Sequence, residues 1–202
     1  MENSPAAATR QLILDTAKAL LRRHGEGKLT VVDIARATGM SHANVYRFFR
    51  TKAGILDAII DEWLSKVEAF VEAIAQRPNT AAERLEAVVL ELHRKRKQKL
   101  LNDAEVFETF RRVIELRPDA VAKRREQIFN VFKRLIEEGV ASGEFAAVDC
   151  HEAATVLKDA SAMFLHPLMI PIDAAQDTEA RARNVVRYIL AGFAVRGTQS
   201  PR

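Results

Sequence analysis

Residues 30–52 read TVVDIARATGMSHANVYRFFRTK, and the grammar of this stretch decides the fold. Thr30 can cap a short helix over 31–38, on which Val31, Ile34 and Ala35 share one inner face. Gly39 ends it, because glycine reaches left-handed backbone without a steric cost. Met40 is an apolar turn residue that can plug a small core. Ser41 caps a second helix over 41–48, with Val45, Phe48 and Phe49 as apolar contacts. Ala35 and Ala37 are small enough to let two such helices pack closely at a steep angle. A helix, a Gly-containing turn and a capped helix make a helix-turn-helix, whose second helix offers its leading residues to base edges in a major groove.

The flanks are also helical. Over 10–24 the residues Leu12, Ile13, Ala17, Leu20 and Leu21 recur at helical spacing, with Thr9 as N-cap and Gly25 as stop. The first ten residues, MENSPAAATR, lack the basic start and apolar run of a secretory signal and read as a short mobile arm. A fourth helix opens near Thr51 and Lys52 and runs toward Pro78. Helices over 80–95, 100–116, 119–142, 149–165 and 178–193 follow, the last three capped or bounded by Asp119, Gly143, Asp149 and Pro167. No strand-like alternation, internal repeat or low-complexity tract interrupts them. The expectation is an all-α chain of about nine helices. An N-terminal three-helix helix-turn-helix domain that binds DNA would occupy 1–52, and a second helical domain 53–202.

Composition agrees. The 202 residues are 48% hydrophobic but only 6% aromatic, a mix that favours helix and can bury a core without staples. One cysteine, Cys150, excludes an internal disulfide and argues against a thiolate zinc site. It suits a reducing, cytoplasmic compartment. No stretch is long enough to span a membrane. The net charge of +4 is unevenly spread: through Lys52 there are nine Lys and Arg against four Asp and Glu, and beyond it 22 against 23. A basic end on a near-neutral body suits a chain that meets a polyanion at one end, although a surplus of five is also ordinary surface variation.

The set of residues from 13 to 64 resembles the DNA-binding domain of the TetR family of transcriptional repressors. The match runs through Ala17 in the first helix, the T-V-x-D-I-A run from Thr30, then Gly39, Met40 and Ser41. It continues with Val45-Tyr46, Phe49, Lys52, Leu56 and Ile59. The family often has His where this chain has Phe48. The resemblance implies that Thr30 and Ser41 face phosphates as caps at positive helix ends. It implies that Tyr46 bonds a phosphate through its hydroxyl, and that Lys52, Arg47 and Arg50 meet further phosphates. His42, Ala43 and Asn44 are the candidates for base reading, since Asn can pair bidentately with adenine and the Ala methyl can touch thymine. Each also has a plain surface reading.

The resemblance further implies a homodimer on a palindromic double-stranded operator, paired through the last two long helices. Their stripes are Ala153, Ala154, Val156, Leu157 and Ala160, then Ala182, Val185, Val186, Ile189, Leu190 and Phe193. It implies a small-molecule effector among the middle helices, with Phe107, Phe110, Phe129, Phe132, Met163, Phe164, His166 and Met169 as candidate liners. Aromatic and Met residues at helical spacing are more often plain core. Asp159, Met163 and His166 could place one polar pair inside. His93, His151 and His166 lack metal-ligand spacing, and no cofactor motif is present. The run HRKRKQK over 93–99 reads as a solvated helix end, ahead of a second nucleic-acid patch or a localisation signal. The implied function is a repressor released from DNA by a ligand; an activator of the same fold, or a helical adaptor without DNA binding, are the alternatives. No Gly-rich phosphate loop, H-E-x-x-H or G-x-S-x-G points to an enzyme.

Overall fold

A computed structural model describes residues 4–173 and 177–194 of the chain. They form ten α-helices and a 3-10 turn at Ile170–Asp173: α1 Pro5–Lys28, α2 Val31–Thr38, α3 His42–Phe48, α4 Lys52–Ala75, α5 Ala81–Asn102, α6 Ala104–Leu116, α7 Asp119–Ala141, α8 Cys150–Ala160, α9 Ala162–Leu165 and α10 Glu179–Phe193. Among the described residues there is no strand, only an isolated bridge between Phe145 and Ala194. Two compact units share the chain, one of residues 1–65 and 99–121, the other of 66–98 and 122–202.

In the first unit, α1 packs on α2 and α6, and α2 on α3. Ile13, Leu14, Ala17 and Leu21 of α1 meet Ile34 and Ala35 of α2, Val45 of α3, and Ile55, Ile59 and Ile60 of α4 in one buried cluster. Val106, Phe110 and Val113 of α6 complete it, and the Trp63 and Phe110 rings meet edge-on at 4.5 Å. Fully burying each such aliphatic side chain is worth about 1.5–3 kcal/mol, so this core is what holds the short helices α2 and α3 in place. Met40 packs half-buried against it, as the turn reading expects.

Several boundaries differ from those the sequence suggests. α1 begins at Pro5, not after Thr9. Proline is favoured in a first helical turn, Ala6, Ala7 and Ala8 propagate it, and the Thr9 hydroxyl donates back to the Pro5 carbonyl at 2.8 Å. Residues 5–10 are therefore helix rather than arm, and 1–3 lie outside the described residues. Gly25 does break the helix, with φ +73°, though one more turn follows it. α5 runs on to Asn102, and the break falls at Asp103. Ser161 interrupts the expected 149–165 helix, giving α8 and α9.

In the second unit, α8 packs on α10 and α9. Leu90, Phe164 and Ala182 form a buried cluster, and Phe145 meets Phe193 at 6.1 Å. Glu144 accepts from the Ala81 and Ala82 N–H groups at 2.7 and 2.9 Å, filling the anion position at the start of α5.

Candidate nucleic-acid interface

Both caps read from the sequence are made. Thr30 Oγ1 accepts from the Asp33 N–H at 3.1 Å and donates to its carboxylate at 2.6 Å. Ser41 Oγ accepts from the Asn44 N–H at 3.2 Å. Between them Gly39 takes φ +68° and ψ +19°, and its N–H caps α2. α3 is anchored from below by Val45 and Phe49, both buried, with Phe48 half-buried beside them. Everything else on it points outward. Thr30, Ser41, His42, Ala43, Tyr46, Arg47 and Arg50 are exposed, and Asn44 is half-exposed. Tyr46, at 48% exposure, is a large aromatic the core has no use for.

This is a helix presented to solvent by its capped end, carrying hydrogen-bonding groups first and cations last. Its seven residues span roughly 10 Å at 1.5 Å per residue, close to the roughly 12 Å width of a major groove. Lys52 is placed differently from the others. It is half-buried, and its Nζ donates to the Glu26 carbonyl at 2.5 Å, tying the start of α4 to the end of α1. An ammonium has three donors, so that bond leaves two for a phosphate. Sequence reasoning missed Arg10, whose guanidinium lies over the Phe49 ring at 5.0 Å, as Arg47 lies over Phe48 at 5.2 Å. No local spacing signals a stack between residues 39 positions apart.

The suggested effector residues are divided between the two units. Phe107 and Phe110 are buried in the first unit, 6.3 Å apart edge-on. Phe129, Met163, Phe164 and His166 belong to the second. There Phe129 meets His151 at 5.2 Å, Phe164 is buried with Leu90, and Met163 is exposed. Phe132 is fully buried and Met169 is exposed. The interior Asp159–His166 pair does not form: Asp159 is exposed and pairs with Lys158 at 3.1 Å. Burial first, then the Arg125 and Arg96 cations, hold the half-buried His166 imidazole below its ordinary pKa. A cleft of about 470 Å³ lies instead between α4 and α7, lined by Glu68, Val71, Glu72, Ile128, Val131 and Arg134 among others. Glu68 Oε1 is buried there without a partner.

The run over 93–99 is not a solvated helix end. It lies inside α5, and His93 and Arg96 are buried. The His93 ring nitrogens meet the Phe164 carbonyl at 2.9 Å and the Thr178 hydroxyl at 2.8 Å. Arg96 donates to the Leu165 carbonyl. Of the others, Arg94 pairs with Glu179, Lys99 pairs with Asp103 at 2.5 Å, and Lys95 sits over the Phe70 ring. Charge counting could not reveal that a helix face here points inward.

Residues 13–59 match the model of the bacterial regulatory proteins of the tetR family, and residues 81–186 match that of the tetracyclin repressor-like C-terminal domain. A putative TetR-family transcriptional regulator from Mesorhizobium loti is similar in structure with TM-score 0.73 at 17% identity, over 95% of this chain and 100% of that one. A TetR/AcrR-family regulator from Thermobifida fusca gives 0.68 at 23%, over 93% and 100%. The regulator FadR from Bacillus subtilis, solved in complex with stearoyl-CoA, gives 0.66 at 20%, over 91% and 98%. No curated protein matches the sequence.

Proposed function

The chain belongs to the TetR family of bacterial transcriptional regulators, and on that premise we propose that it is a dimeric repressor released from a palindromic operator by a small molecule. One observation carries the DNA half. α3 is fixed by two buried residues while its capped leading end, with His42, Ala43 and Asn44, faces solvent. Those three read bases; Thr30, Ser41, Tyr46, Arg47, Arg50 and Lys52 hold phosphates. Residues 1–52 are the DNA-binding domain and 53–202 the effector and dimer domain.

Dimerisation follows from need and from surface. One short helix makes too few contacts for switch-grade affinity, and doubling it reads both halves of a palindrome. Val156 of α8, at 46%, and Tyr188 of α10, at 81%, are large apolar side chains left uncovered, on the two helices that pack together. The effector half draws on the α4–α7 cleft, whose Val71, Ile128 and Val131 wall suits an apolar body and whose unpartnered Glu68 oxygen suits a donor. The stearoyl-CoA complex of the FadR relative supports small-molecule control. Ligand binding that favours one state over another by about 1–3 kcal/mol changes operator affinity roughly 5–150-fold. The protein acts in the cytoplasm and, among the described residues, no helix is long and apolar enough to cross a membrane.

The test is a genomic-fragment pull-down with the full chain, followed by displacement of the captured fragment by metabolite extracts in fluorescence polarisation. Specific capture and displacement by at least one fraction are expected. Failure to bind any fragment at low salt overturns the DNA half, and capture that no fraction reverses overturns the ligand half.

A further inference from the structure

Five of the nine arginines in the first unit pair with carboxylates, as Arg22 does with Asp103 and Arg117 with Asp57, and of the other four Arg23 lies on α1 away from α3. At the trailing end of α3 that pattern stops. Arg10, Arg47 and Arg50 are exposed, and none has a carboxylate within ion-pair distance among the described residues. Two of them are not simply loose in solvent. Arg10 reaches from the second turn of α1 to lie over the Phe49 ring at 5.0 Å, and Arg47 lies over Phe48 at 5.2 Å. Phe49 is the residue that ends α3, and Arg50 follows it.

An aromatic face holds a guanidinium by its quadrupole without using up its five N–H donors. Such a cation is oriented but still hungry for an anion, and its ordering cost is met before a partner arrives. The place of this cluster fixes the kind of partner. With the capped end of α3 at the base edges and the helix about as long as the groove is wide, the trailing end stands at the groove rim, beside a sugar-phosphate strand. A carboxylate paired with these arginines would repel phosphate, and among the described residues none is.

We propose that Arg10 is a DNA-backbone residue. Stacked on Phe49, it joins Arg47 and Arg50 in an arginine clamp, preset by the adjacent Phe48 and Phe49 rings, that grips the phosphates flanking each half-site. The inference rests on the DNA-binding reading above. The planar guanidinium matters as well as the charge, because it alone can lie flat on a ring and offer a two-donor edge to phosphate oxygens.

The test measures affinity of the full chain for its captured duplex against salt, for wild type, Arg10→Ala and Arg10→Lys. One phosphate contact per protomer contributes about 0.9 to the slope of log K against log salt. Arg10→Ala in a dimer should therefore flatten the slope by about 1.8 and weaken binding roughly 30-fold at 0.15 M salt, counted from 1 M. Arg10→Lys should keep the wild-type slope yet bind several-fold more weakly. Thermal melting should be unchanged in both, separating a contact from a folding defect. An Arg10→Ala chain with wild-type slope and affinity overturns the clamp while leaving the DNA reading intact. A wild type that captures no duplex overturns both.

Discussion

Arg22 of α1 grips Asp103, the residue between α5 and α6, with two parallel hydrogen bonds: Nε to Oδ1 at 3.0 Å and Nη2 to Oδ2 at 2.8 Å. Lys99 adds a third at 2.5 Å, and the carboxylate is only 7% exposed. This pairing explains why the chain breaks at Asp103, where no Gly or Pro stands. It fixes the start of α6 on α1, within the unit that carries α3. Burial pushes the Asp103 carboxyl up, but the Arg22 and Lys99 bonds outweigh it and leave the pKa below its ordinary value.

Asp103→Asn should therefore destabilise the protein by about 1–3 kcal/mol, since two cations lose their charged acceptor. A depressed native pKa adds stability above the unfolded value of 3.8, and that stability is lost as pH falls through the native value. Urea unfolding of both proteins should show the full gap near pH 7 and a shrinking gap below pH ~4. An equal gap at every pH would contradict the pairing.

Gly139 stands in the last turn of α7, and glycine inside a helix usually weakens it by up to about 1 kcal/mol against alanine. Here an added Cβ would overlap the Phe145 ring and press on the Ala81 methyl. Gly139→Ala should lower stability by about 1–3 kcal/mol through overpacking, against the helix-propensity trend. A rise in melting temperature would show that Phe145 can move aside.

Arg96 is 9% exposed, donates to the Leu165 carbonyl, and leaves its Nε without an acceptor. Burial alone lowers its pKa to about 10. A cation whose native pKa lies below its unfolded one is penalised in full at every pH under about 10, so neutral pH gives no relief. Replacing such a charge with an apolar residue of similar size is often stabilising. Arg96→Met should raise stability by about 1 kcal/mol in urea titration, the gain being reduced by the lost Leu165 bond. A loss above about 2 kcal/mol would show that the guanidinium is supported.

Tyr46→Phe should leave melting unchanged, because the ring is half exposed and its hydroxyl has no hydrogen-bond partner among the described residues. Operator affinity should fall about tenfold or more if each protomer loses a phosphate bond worth about 1 kcal/mol. The salt slope should stay as in wild type, since no charge is removed. Unchanged affinity would place Tyr46 off the interface.

The parts of the fold that could be read from sequence are those set by local chemistry. Thr30, Gly39 and Ser41 act within three residues of themselves, so caps and turn were legible, as was Asp149, which accepts from the His151 and Glu152 N–H groups. What escaped was decided at long range. The α5–α6 break depends on Arg22, 81 residues from Asp103. The burial of His93 depends on Thr178, 85 residues away. A run of cations looks the same whether its helix faces water or a neighbour. The division of the candidate aromatic residues between the two units, Phe107 and Phe110 in one and Phe129 and Phe164 in the other, follows from the packing of whole helices. At the interface the exposed tips were foreseeable, but the Arg10 stack on Phe49 was not.

Selection of bound duplexes from a random pool tests the central claim most directly, because it asks whether the outward face of α3 reads sequence, and reads it twice. Two inverted half-sites with centres about 34–36 Å apart, or a multiple of that spacing, are expected. A pool that never enriches, or one that enriches a single half-site without symmetry, would contradict it.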